Sequence, residues 1–208
     1  MKVSGDATLH APIEKVWAAL NDPAVLVRTI PGCERLETTG PDAYRMVVTA
    51  GVASIKGTYA GEVQLSDQEE PNSFLMTASG AGGPGTVSTE VRVALADAGD
   101  GSTTLTYDAD AVVGGVIAGV GQRMLVGVSK KMAGEFFRSV DDVLTGKAVE
   151  SAASPDSAAA AEAGVFVAPS TGSGRAIGGE GFLPGALVGA AIALAGVLVG
   201  GLLGRRRH

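Results

Sequence analysis

Between Gly115 and Thr145 apolar residues recur at Ile117, Val120, Met124, Val128, Met132, Phe136, Val140 and Leu144, in steps of three and four along the whole stretch. One long amphipathic helix must hide that stripe, and what precedes it dictates where. From Glu34 to Val113, strand-like stretches are punctuated by the turn residues Gly40-Pro41-Asp42, Gly51, Glu70-Pro71-Asn72, Gly82-Gly83-Pro84-Gly85 and Asp97 to Gly101. Such spacing builds antiparallel hairpins. The large surface open to the helix is the concave face of the sheet they form. Upstream, Lys2 to His10 alternates as a strand does. Pro12 then opens a helix with Ile13, Val16, Trp17 and Leu20 on one face, and Asn21-Asp22-Pro23 restarts a short second helix as far as Arg28. The expected class is α+β, a curved antiparallel sheet around a long C-terminal helix.

The chain has 208 residues, enough for one domain with a real core and an extra segment, but not for two large domains. Residues 1–150 hold 12 Lys and Arg against 19 Asp and Glu, so the acidic character sits in the N-terminal part. This argues against nucleic acid as a partner, because phosphate binding needs a dense basic face. The two histidines, His10 and His208, and the one cysteine, Cys33, cannot assemble the familiar zinc ligand sets. The lone cysteine also excludes an intrachain disulfide framework and fits a reducing compartment. The charged, alternating N-terminus does not read as an export signal, so the bulk of the chain is expected in the cytoplasm.

Three segments are expected: a domain over 1–147, a flexible Ala/Ser/Gly-rich linker over 148–180, and a C-terminal apolar helix over 181–208. Within the linker, Gly164-Val165-Phe166-Val167 is an apolar island suited to touching the domain or a partner. The run from Phe182 to Gly204 is uncharged and reaches about the thickness of a bilayer's hydrocarbon core if helical. Phe182, Leu183, Leu187, Val188, Ile192, Leu194, Val197, Leu198, Leu202 and Leu203 would meet lipid, with Arg205, Arg206 and Arg207 at the headgroups. Arginines beyond a helix that starts in the cytoplasm run against the tendency of basic flanks to stay inside. Tail insertion despite that rule, a shallow segment with snorkelling arginines, and docking on another protein all remain open.

In the final helix the first half, Gly114 to Met124, is rich in glycine, whereas the second half, Phe136 to Leu144, has bulk. A helical glycine costs about 1 kcal/mol relative to alanine, so several ask for a reason. One reason is a cavity left where small residues face the sheet, with flexible methionines lining it; the alternative is an ordinary packed core. The expected lining is Leu26 and Ile30 from the early helices, Met46, Tyr59 and Met76 from strands, and Ile117, Val120, Met124, Val128 and Met132 from the last helix. A one-residue slip of register would invert the strand assignments.

The element order β-α-α-β₆-α resembles the helix-grip fold of the START-like, SRPBCC superfamily. More narrowly, Val16-Trp17-Ala18-Ala19-Leu20-Asn21-Asp22-Pro23 leading to Ile30-Pro31-Gly32-Cys33-Glu34 is similar to the carbon monoxide dehydrogenase G-subunit family. So are Lys56-Gly57-Thr58-Tyr59-Ala60-Gly61-Glu62-Val63, Leu105-Thr106-Tyr107 and Gly114-Gly115. The resemblance covers residues 1–147. It implies a non-catalytic accessory protein that brings a molybdenum-containing carbon monoxide dehydrogenase to the cytoplasmic face of the membrane. Joined to the expected cavity and tail, it points to an apolar isoprenoid ligand, a quinone, with membrane lipid and the dehydrogenase as partners. A ligand-free recruitment scaffold is the alternative, and an enzyme of the same fold working through Tyr59, Asp108 or Glu62 is a weaker one.

Other motifs carry blander readings. Gly80-Ala81-Gly82-Gly83-Pro84-Gly85 matches G-x-G-x-x-G but sits between strands and carries a proline, so a hairpin is expected, not a dinucleotide site. Cys33 is expected to be structural, Asp108 and Asp110 to face solvent, and His10 to bond within a turn. Arg123, Lys130, Lys131 and Arg138 form a basic edge of the last helix, read as a solvated face.

Overall fold

The computed structural model describes residues 1–147 and 164–168. The elements follow in the order β1 (Lys2–Leu9), α1 (Ile13–Asn21), α2 (Pro23–Thr29), β2 (Cys33–Gly40), β3 (Ala43–Val52), β4 (Ile55–Glu69), β5 (Ser73–Gly82), β6 (Gly85–Asp97), β7 (Thr103–Gly114), a 3₁₀ turn (Val116–Val120), α3 (Gln122–Leu144) and β8 (Val165–Val167). The eight strands form one antiparallel sheet in the order β1-β7-β6-β5-β4-β3-β2-β8. The expected α+β class and the order β-α-α-β₆-α are what the chain adopts.

Local chemistry explains the early helices. Asp22 caps α2 by accepting from the Ala24 N–H at 2.8 Å, and Pro23 takes the first helical position, where a missing N–H costs nothing. The same Asp22 ends α1 in extended backbone, so the two short helices meet at an angle and wrap one end of the sheet. Trp17 anchors α1 edge-on against Phe74 of β5, with ring centroids 5.7 Å apart.

The last helix departs from expectation at its start. Val116–Val120 is a 3₁₀ turn bounded by left-handed backbone at Gly115 and Gly121 (φ 80° and 92°), so α3 begins only at Gln122. Its buried face is Leu125, Ser129, Met132, Ala133, Phe136, Phe137 and Val140. The expected stripe through Met124 and Val128 is therefore corrected. A helix turns once in about 3.6 residues, so a track advancing by fours overshoots by about 40° per step. Followed back from Phe136, that track leaves the core, and Met124 is 47% exposed.

The apolar island in the linker lies on the domain. Phe166 stands opposite Leu36 as β8 adds to the edge of β2, and Ala168 donates its N–H to the Glu34 carbonyl at 3.1 Å. The remaining linker and the whole apolar run with its arginines lie outside the described residues. Among the described residues, no helix is long and apolar enough to cross a membrane.

Candidate ligand-binding site

Five strands each offer the concave face a pair of residues two apart: Tyr44 and Met46, Val63 and Leu65, Phe74 and Met76, Val91 and Val93, Leu105 and Tyr107. Alternation puts both members of each pair on one face. Register aligns them across the sheet, Leu65 beside Met76 beside Val91 and Phe74 beside Val93 beside Tyr107. Leu36 of β2 completes this wall, Ala133, Phe136 and Phe137 of α3 form the roof, and Leu20, Leu26 and Ile30 close the end at α1 and α2. The space enclosed is an apolar cavity of about 70 Å³. A dry cavity of about 150 Å³ admits benzene, so a ring can enter here only if the lining gives way. Met46 and Met76, with three rotatable bonds each, and the two-turn helix α2 are the parts best able to yield.

Of the residues expected to line the cavity, Leu26, Ile30, Met46 and Met76 do so; Tyr59, Ile117, Val120, Met124, Val128 and Met132 do not. Tyr59 is buried on β4 opposite Val48 and Gly82, toward the other end of the sheet. Ile117, 1% exposed, plugs that end, its N–H bonded to the Pro84 carbonyl at 3.0 Å. Val120 and Val128 are half-buried, Met124 is exposed, and Met132 is core without reaching the cavity. The glycines of the helix do not make the space either. A Cβ added at Gly119, Gly121, Gly127 or Gly134 meets nothing within 4 Å, and all four are exposed. The cavity instead lies under the bulky half of α3, where the small residue facing inward is Ala133. The i, i+2 pairs were the sequence signal that marks it.

The lining holds no charged side chain; its side-chain polar atoms are the hydroxyls of Tyr44 and Tyr107. Burial, reinforced by Asp42 and Asp22 beside Tyr44 and by Asp6 beside Tyr107, pushes both phenols above their ordinary range, so both stay protonated donors at neutral pH. Tyr59, Asp108 and Glu62 do not converge. Tyr59 is buried inside, while Asp108 and Glu62 are exposed on the opposite face, where Glu62 pairs with Arg45 at 3.4 Å.

Cys33 is buried, its thiol pointing to the Arg35 carbonyl at 3.6 Å, and burial pushes its pKa up to about 11, the setting of an inert thiol. His10 is bound to Asp141 at the foot of α3. Its backbone N–H donates to Oδ1 at 2.6 Å and its ring Nδ1 lies 3.0 Å from Oδ2. Asp110 faces solvent and pairs with Lys2, which holds its carboxyl below the usual range. The G-x-G-x-x-G stretch is the β5–β6 hairpin, turning through Gly83 and Pro84. Arg123, Lys130, Lys131 and Arg138 are exposed on α3. Among the described residues, no cluster of His, Cys, Asp and Glu could hold a metal ion.

A sheet gripping one long helix around an apolar cavity defines a START-like protein, and solved structures agree. A START superfamily protein from Mycobacterium smegmatis superposes with a TM-score of 0.55 at 16% identity, over 70% of this chain and 98% of its own. The ZhuI aromatase/cyclase from a Streptomyces species does so with 0.55 at 14% identity, over 73% and 98%. Both likenesses concern the fold. A conserved protein from Geobacillus kaustophilus is nearer, with a TM-score of 0.68 and 35% identity over 71% of this chain and 97% of its own. The family described as the carbon monoxide dehydrogenase G subunit (CoxG) matches residues 5–145, and the chain belongs to it. The curated proteins contain no match to this chain.

Proposed function

We propose that this protein is a non-catalytic accessory partner of a molybdenum-containing carbon monoxide dehydrogenase and carries an apolar isoprenoid molecule, a quinone, in the cavity under α3. The observation that supports it most is an all-hydrocarbon lining with two phenol donors, in a chain of the CoxG family. A water-soluble dehydrogenase must pass its electrons to the respiratory chain, yet a quinone dissolved in lipid is out of its reach. A carrier that shields the quinone and stays at the cytoplasmic face of the membrane would close that gap. Residues 181–208, with their apolar run and terminal arginines, suit the anchoring role. The narrowness of the cavity favours a second reading, a ligand-free scaffold that only recruits the enzyme.

The two readings part in a reconstituted system of purified dehydrogenase, quinone-loaded vesicles and the full chain. The carrier reading expects carbon monoxide-dependent quinone reduction only when the chain is present, and loss of that reduction when Phe136→Trp crowds the cavity while enzyme still sediments with the vesicles. Reduction that persists in this variant would favour the scaffold.

A further inference from the structure

The two ends of the sheet differ in charge. At one end lie the β2–β3, β4–β5 and β6–β7 connections, which with the strand ends beside them carry exposed Asp42, Asp67, Glu69, Glu70, Asp97 and Asp100. At the other lie the β3–β4 and β5–β6 hairpins and the crossover from β7 through the 3₁₀ turn into α3. The stretches that build this second end hold no Asp or Glu: residues 46–61 contain Lys56 alone among charged side chains, residues 71–89 contain none, and residues 111–134 contain Arg123, Lys130 and Lys131. Of the large apolar side chains exposed among the described residues, Val112, Val116 and Met124 fall on the end of β7, the 3₁₀ turn and the first turn of α3. Such side chains are ordinary singly, but grouped they mark an interaction surface.

The chain itself is directed to the same end. β8 runs antiparallel to β2, with Val165 opposite Glu37 and Val167 opposite Arg35, so the chain leaves Ala168 heading away from the β2–β3 turn. There it lies beside the start of β2, where Cys33 stands opposite Val48, about 13 Å short of the end of β3 at Val52. The apolar run opens at Phe182, and residues 169–181 span up to about 45 Å when extended, so the run starts within reach of the acid-free end.

We infer that the domain rests on an anionic lipid surface through this end, with Val116 and Met124 in the interface and Lys56 and Arg123 against headgroup phosphates. This deepens the anchoring role proposed above and rests on it, but not on the ligand. Residues 1–150 are net acidic, so a negatively charged leaflet disfavours contact through the acidic turns and admits the opposite end. Apolar side chains beside cations are the combination that a lipid interface holds. A protein partner would meet the same residues, but the exit of the chain toward this end favours the bilayer, because a domain tethered there faces lipid at high effective concentration.

The test uses the full chain on vesicles of phosphatidylcholine and phosphatidylglycerol. A thiol-reactive NBD fluorophore is attached in Val116→Cys and, separately, in Ala98→Cys of the β6–β7 turn; both positions are exposed, whereas Cys33 is buried. Vesicle binding should brighten the Val116→Cys probe and open it to quenching by doxyl-labelled lipid, while the Ala98→Cys probe stays as it is in water. Adding Arg123→Gln to the first variant should lower the ratio of docked to undocked domains about fivefold; an unchanged ratio overturns the part given to that cation. A chain that sediments with the vesicles while the Val116→Cys probe behaves as in water, or while the Ala98→Cys probe is the one quenched, overturns this surface and leaves the anchoring role standing. A response of the Val116→Cys probe that requires the dehydrogenase makes this end a protein interface and overturns the inference likewise. A chain that does not bind the vesicles overturns the anchoring role and the inference together.

Discussion

Ala133→Leu is expected to abolish ligand binding, by at least about a hundredfold, while leaving the protein as stable as before or more so. Ala133 is 3% exposed and is the one small side chain of α3 in the roof of the cavity. The three carbons that leucine adds would occupy much of the roughly 70 Å³ available. In a filled core such an insertion costs about 1–3 kcal/mol through displaced neighbours. In a void it instead removes apolar surface from water, worth about 0.8 kcal/mol per methylene. The sign of the change in Tm therefore reports whether the space exists, and titration with a naphthoquinone reports whether it is the binding site. A clear fall in Tm with binding intact would place the ligand elsewhere.

Gly115→Ala should be far more damaging, a loss of about 3 kcal/mol or more on chemical denaturation. The residue has φ of 80°, and a Cβ there would stand 2.6 Å from the Gly85 Cα and 3.0 Å from the Pro84 carbonyl oxygen. Those neighbours are backbone of the β5–β6 hairpin and cannot rotate away. The same junction seats Ile117 and sets where the chain crosses from β7 to α3, so the cost is expected as cooperative unfolding. A stability loss under about 1 kcal/mol would show that the crossover is looser than the structure implies.

These two sites also show how far the sequence carries. Turn residues placed four of the five hairpins between Glu34 and Val113, because a turn depends on neighbours a few positions away; Gly51 instead lies inside β3, and that chain reversal falls at Ala53 and Ser54. The cavity was harder to place. Empty volume was expected beside the helix glycines, but glycine in a helix fails to fill space only on the face it presents to the core, and Gly119, Gly127 and Gly134 present theirs to solvent. A stripe read in steps of four drifts off the buried face, which is how Met124 and Val128 entered the expected lining while Ala133 and Phe137 did not. Leu26, Ile30, Met46 and Met76 do line the cavity, the two methionines because β3 and β5 adopt the inward phase that a one-residue slip would have inverted. Tyr44 shares that phase with Met46, two residues on, and the i, i+2 rule alone would have included it. That β8 pairs with β2 was beyond reach, since three residues of a linker carry no sign of which edge they will join.

The most direct test of the central claim is to purify the full chain from a host that makes quinones, extract it with organic solvent, and identify the released molecules by mass spectrometry beside the intact mass of the native protein. The account predicts a neutral isoprenoid quinone at close to one per chain, and its absence from Ala133→Leu prepared in the same way. Protein that emerges folded and free of any such molecule, and that remains so after incubation with quinone-loaded vesicles, would contradict it.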